Sequence, residues 1–300
     1  MWKNLYLELN SSCTETPSSL IECITDSATS GHFSSLYDSD YAKRATIYGI
    51  YSLVWECRQS YSLSLWHEPV NLGHVAFVQE SYHQRLLQFL SNVRSVYDSD
   101  SSEGFSTRYL ALDLLNMHMF TPFELIELFA GKEGSEEARL AHKGLKKWAV
   151  TRRSRHAVWH AGQVFRVTQQ LPPEHRNGFH AIALYQASIT LWAFAILGPM
   201  SRHSQRDDVS KTTEIFVDGL ESAEVQRWIR FKHGLPAIRH MCHADRPDQI
   251  STPLYDAGGV LNVARGILMR TFARESDTSF LVENIGRFMQ ELEKVSQKIR

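Results

Sequence analysis

Apolar side chains recur three or four positions apart over much of this chain, which is the spacing that one face of an α-helix requires. The first such run begins near Tyr41, and a second covers roughly Gln79–Tyr97. The same spacing continues over about residues 107–119, 122–131 and 135–148. The pattern therefore predicts five successive helices in the first half of the chain.

One of these helices carries a local start signal. Thr121 is placed to act as its N-cap, Pro122 to occupy the first helical position and Glu124 to complete a capping box. Gly131 suits a left-handed residue after the last turn. The motif predicts a short helix that begins at Pro122 and stops at Gly131.

The centre of the chain is its most apolar part. The stretch 157–197 is interrupted at Leu171-Pro172-Pro173, and no charged side chain occurs from Phe179 to Leu197. At ~1.5 Å per residue, this second part is just long enough for a ~30 Å hydrocarbon layer. It also contains histidine, glutamine, serine and threonine, and no second apolar span of similar quality accompanies it. A buried core helix is therefore preferred over a membrane span.

The last third of the chain continues the helical pattern with one exception. Residues 201–213 are polar and predict a loop, and residues 214–219 form the single segment with a strand-like pattern. Further helices are predicted from Ser222 to about Gly234, over about 258–274 and from Thr278 to the end. The predicted fold is all-α, an irregular multi-helix bundle of roughly ten helices around a buried central helix.

Composition sets the domain plan and the broad class. Residues 1–40 are rich in Ser and Thr and are expected to form a partly ordered lead-in, so the helical domain spans residues 41–300. The chain is 43% hydrophobic, with a net charge of −1 and a pI near 6.9. It lacks the basic excess of an isolated DNA-binding module. Four scattered cysteines and the lack of an apolar N-terminal run predict a reducing, intracellular compartment.

Three weak metal motifs keep an enzymatic alternative open. His156 and His160 have the i, i+4 spacing of zinc proteases, but the glutamate of that motif is missing between them. Arg206-Asp207-Asp208 is similar to a magnesium-binding motif, and residues 239–243 group two histidines and a cysteine without a matching pair. No metal site and no catalytic residue are predicted, and the chain is expected not to be an enzyme. The alternatives are an all-α metal-dependent enzyme and a protein anchored by one span at residues 179–197.

Several packing motifs resemble those of a known regulatory domain. The segments are 157–164, 171–173, 178–192, 123–131 and 216–220. Together they resemble the regulatory, or middle homology, domain of fungal-specific transcription factors. The resemblance is strongest to the branch that joins this domain to C2H2 zinc fingers, and it covers about residues 40–295.

The resemblance implies an all-helical nuclear domain that regulates genes transcribed by RNA polymerase II. It implies contacts with the transcription machinery or co-regulator proteins, a homodimer as a further option and no membrane. DNA would be contacted indirectly or through a separate finger domain, and zinc is expected in such fingers alone. The four cysteines of this chain form no close pair, so no cofactor is expected here and a finger-less form could reside in the cytoplasm.

A regulatory domain of this kind can also respond to a small molecule. Ligand pockets are mostly apolar and carry a few convergent polar groups. On composition alone, the side chains in the central stretch that suit such a pocket are Trp159, His160, Gln163, Tyr185 and Trp192.

Overall fold

The structure, a computed structural model, describes residues 40–66, 73–98, 105–198, 213–240, 250–272 and 279–299. Within these residues 80% of the chain is helical, and ten α-helices accompany three short strands. The all-α prediction is therefore confirmed. The helices are α1 Asp40–Trp66, α2 Gly73–Asp98, α3 Phe105–Phe120, α4 Phe123–Phe129, α5 Ser135–Ala149, α6 Arg152–Gln170, α7 Gly178–Leu197, α8 Ala223–Phe231, α9 Ala257–Phe272 and α10 Phe280–Ile299.

Helix α7 lies at the centre of the molecule, as predicted. It packs against α6 and α9, and α6 in turn packs against α3. Of the described helices, α7 alone is long and apolar enough to cross a bilayer, and 72% of that apolar window is buried within the protein. The indole Nε1 of Trp192 donates a hydrogen bond to Ser296 Oγ of α10 at 2.8 Å. A helix that neighbours cover over most of its surface needs no charged face, which explains the uncharged sequence of α7, although Phe179 and Ile182 near its start are exposed.

The α6–α7 pair is joined as the proline break predicted. After α6 the chain passes through Leu171 and Pro172 into a single 3-10 turn at Pro173–His175. Asn177 then caps α7, and His180 completes a capping box by accepting the Asn177 backbone N–H. The caps of both helices are local sequence features, so these boundaries are the part of the fold most directly encoded.

A small sheet lies beside the helices, and the sequence predicted only its first strand. Strand β1 Glu214–Phe216 pairs in parallel with β2 Leu235–His240, which pairs antiparallel with β3 Ile250–Pro253. The expectation of a single extended segment is therefore wrong. A four- or six-residue strand is stabilised by its cross-strand neighbours more than by its own residues. The partners of β2 lie 10 to 21 positions away, outside the strand itself, so its own residues do not predict it.

The start of α4 also differs from its predicted form. The residue at the N-cap position is Pro122, with no side-chain cap hydrogen bond. The predicted capping box is wrong because Glu124 turns away from the helix end and binds Arg58 of α1 at 2.6 Å. The hydroxyl of Thr121 is buried and has no hydrogen-bond partner. At the other end the prediction holds, since Gly131 has a φ of +96° just beyond the last turn.

The predicted lead-in, residues 1–40, lies outside the described residues apart from Asp40, the first residue of α1. Most of the predicted polar loop, residues 201–212, also lies outside them. The division at residue 40 stays a prediction.

Candidate functional site

A cavity of about 450 Å³ opens between the first five helices and the start of α6. Its apolar walls come from five residues. They are Met119 and Phe120 at the end of α3, Pro122 just before α4, Leu125 of α4 and Trp148 of α5. Trp148 is fixed by its indole Nε1, which donates to the Phe120 carbonyl at 2.9 Å. Small-molecule sites have this size and this mostly apolar character, with volumes of roughly 300–1,000 Å³.

Polar side chains enter the cavity from six helices and the connecting turns. They come from α1, α2, α3, α4, α5, α6 and the turns beside them, and they are Cys57, Arg58, His83, His118, Thr121, Glu124, Lys147, Thr151 and Arg153. The residues lie up to about a hundred positions apart along the chain. Only the packing of the helices brings them to one place.

A chain of hydrogen bonds organises one side of the cavity. Arg58 donates through Nη2 to Glu124 Oε1 and through Nη1 to His118 Nδ1, each at 2.6 Å. His118 Nε2 lies 2.9 Å from Gln186 Oε1, an oxygen that can only accept. The imidazole is therefore the neutral tautomer with its proton on Nε2. One arginine thus joins α1 to both α3 and α4.

The environment of His118 keeps it neutral. Burial, and then the charge of Arg58, lower the pKa of His118 to about 3. Phe123 packs against the ring at a centroid distance of 4.6 Å, and Tyr51 contacts it edge-on at 6.0 Å. With both nitrogens engaged and a pKa so low, His118 is suited to holding the wall in place and unsuited to transferring protons near neutral pH.

A second polar cluster lines the cavity beside the Met119 carbonyl. Arg153 of α6 donates to the Met119 carbonyl at 3.3 Å, and its Nη2 lies 2.9 Å from His83 Nε2. Burial, followed by the charge of Arg153, lowers the pKa of His83. The carboxylate of Glu80 lies 3.7 Å from Arg153, at the long end of an ion pair. The cluster therefore keeps an arginine beside a neutral histidine at the cavity wall.

Among the lining residues, two buried polar atoms outside the histidines have no hydrogen-bond partner. They are the hydroxyl oxygen of Thr121 and Nε of Arg58. Thr121 is only 4% exposed, so water does not readily compensate its hydroxyl. Buried polar atoms are nearly always hydrogen-bonded, and an orphaned one at a cavity is a place where a ligand atom would restore the missing bond.

The thiol of Cys57 also lines the cavity. Burial raises the pKa of this thiol above its ordinary value, and Arg153 offsets the rise only in part. The thiolate is the nucleophilic form of cysteine. Cys57 therefore contributes a small apolar surface to the cavity and not a reactive group.

Formal charge in the cavity is unbalanced. Arg58, Lys147 and Arg153 are cations, and Glu124 is the one carboxylate among the described lining residues. Both histidines have lowered pKa values and are neutral at pH 7. The lining therefore carries two more positive than negative charges.

The side chains predicted to form a pocket lie elsewhere. None of the five lines this cavity. Gln163 donates from Nε2 to the carbonyls of Val217 and Gly219, at 2.8 and 2.9 Å. Trp192 is tied to α10 as described above, and Trp159 is buried in α6. These three side chains serve the packing of the core.

The two remaining pocket candidates have structural partners as well. His160 Nδ1 lies 2.9 Å from Asp113 Oδ1, and Arg94 binds the same carboxylate oxygen at 2.9 Å. Burial alone would raise the pKa of Asp113, but His160 and then Arg94 bring it below its ordinary value. Tyr185 contacts Phe288 edge-on at 5.7 Å. The cavity is thus built from a set of residues that the sequence prediction did not select.

Of the three possible metal motifs, the structure describes the His156/His160 pair in full and the other two in part or not at all. Within the described residues no three His, Cys, Asp or Glu side chains are grouped to hold a metal ion. His156 stacks on Phe120 at 4.8 Å, and burial with the charge of nearby His160 lowers its pKa to about 4. Arg206-Asp207-Asp208 and residues 241–243 lie outside the described residues.

One sequence signal did point to the cavity, although for another reason. The Thr121-Pro122-Phe123-Glu124 motif predicts a helix cap, but its two polar side chains, Thr121 and Glu124, line the cavity instead. Arg58, His83 and His118 lie within regular helices, and no local sequence motif identifies them as cavity residues. Their common location follows from tertiary packing alone.

Comparison of the chain with protein-family models, with curated proteins and with solved structures finds no match. The resemblance to fungal regulatory domains therefore stays a prediction from the packing motifs.

Proposed function

We propose that this chain is a transcriptional regulatory domain of the fungal type, and that a small molecule bound in the cavity controls its contacts with other proteins. The observation that carries the proposal is the cavity itself, with apolar walls, an excess of positive charge and a buried hydroxyl that lacks a partner. The packing motifs of the central stretch supply the expectation of a regulatory domain.

The position of the cavity suits a control site. Helices α1 and α2 make their main contacts with each other and with α3, whereas the core is formed around α6, α7 and α9. The cavity lies where these two groups of helices meet. A molecule bound there would favour the arrangement in which both walls contact it, because a ligand shifts an equilibrium toward the state that it binds better.

The state of the polar groups also favours binding over catalysis. His118 and His83 are neutral, the Cys57 thiol is held protonated, and Arg58 is paired with Glu124. Groups held in this way recognise a molecule by fixed hydrogen bonds and charge. The proposal therefore assigns no catalytic residue and no cofactor to the chain.

The remaining parts of the proposal follow from the resemblance. The domain acts in the nucleus through the transcription machinery or co-regulators. It reaches DNA indirectly or through a separate finger domain, and it can form a homodimer. An all-α enzyme and a membrane-anchored protein are the competing proposals, and the experiment below separates them from regulation.

The direct test is to fuse the chain to an unrelated DNA-binding domain and to measure a reporter gene in yeast. We expect the fusion to change reporter output relative to the DNA-binding domain alone. Gly144 of α5 lines the cavity, and its nearest contact is the flexible end of Leu125. Gly144→Leu fills the cavity and should alter that output, while Gly286→Ala in α10 should not.

Circular dichroism and urea unfolding establish that both variants are folded. Reporter output equal to that of the DNA-binding domain alone would overturn the regulatory proposal. An effect of the wild-type fusion that Gly144→Leu leaves unchanged would separate regulation from the cavity and overturn the control-site part.

A further inference from the structure

Two of the three basic groups of the cavity, here called the basic edge, flank the turn between α5 and α6. Lys147 lies in the last turn of α5, and Arg153 lies in the first turn of α6, four residues beyond the end of α5. Lys147 is exposed and makes no ion pair or hydrogen bond with any residue that the structure describes. The turn between α5 and α6 thus presents two cations at the mouth of the cavity.

Apolar and aromatic surface lies next to this basic edge. Trp148 follows Lys147 directly, and its ring is held by the hydrogen bond to the Phe120 carbonyl. Met119 and Phe120 continue the wall inward. The cavity therefore offers a flat aromatic surface with positive charge at its rim, which matches a molecule with an aromatic ring and an acidic group.

We propose that the cavity binds a small aromatic carboxylic acid, with the carboxylate between Lys147 and Arg153 and the ring against Trp148 and Phe120. The proposal rests on the proposed role of the cavity as a ligand site. Carboxylates bind Lys and Arg through charge-assisted hydrogen bonds, which are the stronger kind. A polar substituent on the ring would reach the hydroxyl of Thr121 and give it the partner that it lacks.

The charges of the lining exclude other classes of small ligand. A cationic ligand would meet three positive groups and a single carboxylate that is already bound to Arg58. A neutral ligand would leave the ammonium group of Lys147 without a partner among the residues that the structure describes. Glu80 lies 3.7 Å from Arg153, is half exposed and does not line the cavity, so its charge offsets that of Arg153 only in part.

The test uses three probes that share one ring system. They are 2-naphthoate, 2-naphthamide and 2-naphthylmethylammonium, which carry a negative charge, no charge and a positive charge. Binding to the full chain is measured by titration calorimetry at pH 7 and low salt. We expect the naphthoate to bind at least tenfold more tightly than the amide, and the ammonium probe to bind most weakly.

Variants assign the charge preference to the basic edge. Lys147→Met should weaken binding of the naphthoate three- to tenfold and leave binding of the amide unchanged. Lys143→Met is the matched control, because Lys143 lies one turn earlier on α5 and does not line the cavity. Raised salt should weaken the naphthoate complex alone, as expected for exposed charge.

The outcomes separate this inference from the proposed function. Equal binding of acid and amide, or an equal loss of both in Lys147→Met, would overturn the acid preference and leave the cavity as a ligand site. If none of the probes binds, the acid preference is overturned as well. The role of the cavity in regulation is then judged separately, by the effect of Gly144→Leu on the reporter.

Discussion

The core around α6 and α7 and the cavity lined by the first six helices differ in how their polar side chains are partnered, although the core also holds two buried atoms without a partner, Thr168 Oγ1 and His180 Nε2. In the core, Gln163, Trp192 and Asp113 each bind a specific partner, and no free space adjoins α6 at Gly162. In the cavity, Thr121 and one nitrogen of Arg58 lack partners, and Lys147 is unpaired among the described residues. Paired polar groups fix one arrangement of helices, whereas unpaired ones leave bonds for another molecule to complete.

The largest effect is expected at Gly162 of α6. A Cβ atom there would lie 2.3 Å from the carbonyl oxygen of Val217 and 2.5 Å from its carbon, and backbone cannot move aside cheaply. We expect Gly162→Ala to lower the free energy of unfolding by about 3 kcal/mol, as overpacking of a core does. Urea unfolding at pH 7 measures the change.

Gly286 of α10 is the matched control for this prediction. A Cβ there meets only Leu268 and Met269, at 3.7 and 4.0 Å. Gly286→Ala should therefore stabilise the protein by roughly 0.5 kcal/mol through helix propensity. A loss at Gly286 as large as the loss at Gly162 would contradict the assignment of close packing to the α6–Val217 contact.

The sequence could predict the helices because their signals are local. The apolar spacing and the Pro–Pro break placed α6 and α7 to within a few residues, and Gly131 marked the end of α4. It could not predict Gly162 as a contact point, because Val217 lies 55 positions away. It missed β2 and β3 because these short strands are stabilised by their cross-strand neighbours and not by a pattern of their own.

The cavity could not be predicted from the sequence either, because its polar residues come together only when the helices pack. Arg58 and His118 are 60 residues apart and sit on different helices, so their hydrogen bond exists only in the folded chain. The polar residues of the central stretch were predicted to line a pocket, but their polar groups bind within the core. An aromatic or polar residue in an apolar helix has the same pattern in sequence whether it lines a cavity or completes a packed core.

The next largest effect is the dependence of the free energy of unfolding on pH that His118 of the cavity wall causes. The pKa of His118 is about 3 in the folded protein against an ordinary value of 6.5. Below pH 6.5 the unfolded chain takes up a proton that the folded chain does not, so the free energy of unfolding falls as pH drops from 6.5 towards 3. By proton linkage the loss from this one group reaches about 2 kcal/mol at pH 5.

His118→Gln removes the titrating group and offers polar atoms to Arg58 and Gln186. We expect the variant to lose about 2 kcal/mol less than the wild type between pH 7 and pH 5, by urea unfolding at each pH. The other buried histidines and Asp218 titrate alike in both proteins, so their contributions cancel in the comparison. Identical pH dependence in the two proteins would show that His118 is accessible to protons, against the enclosed wall described here.

A smaller effect is expected from removing a paired hydroxyl of the core. Ser296→Ala takes away the acceptor for the indole N–H of Trp192, which is 2% exposed and has no other acceptor among the residues that the structure describes. A buried donor left without a partner costs about 1–3 kcal/mol, and we expect a loss of about 1.5 kcal/mol. Urea unfolding measures the loss. Lys294→Ala, two residues before Ser296 on the exposed side of α10, should change the free energy of unfolding by only a few tenths of a kcal/mol.

The smallest effect has the opposite sign and tests the cavity directly. Thr121→Val keeps the shape of the side chain and removes a buried hydroxyl that has no partner, so the empty protein should gain about 1 kcal/mol. Thr168 of α6 is the matched control, because its hydroxyl is also buried without a partner but it does not line the cavity. Thr168→Val should give a similar gain. In calorimetric titrations with a hydroxyl-substituted naphthoate, Thr121→Val alone should weaken binding. Equal binding by the two variants would mean that the Thr121 hydroxyl is an ordinary packing defect, and the contrast between core and cavity would then rest on charge alone.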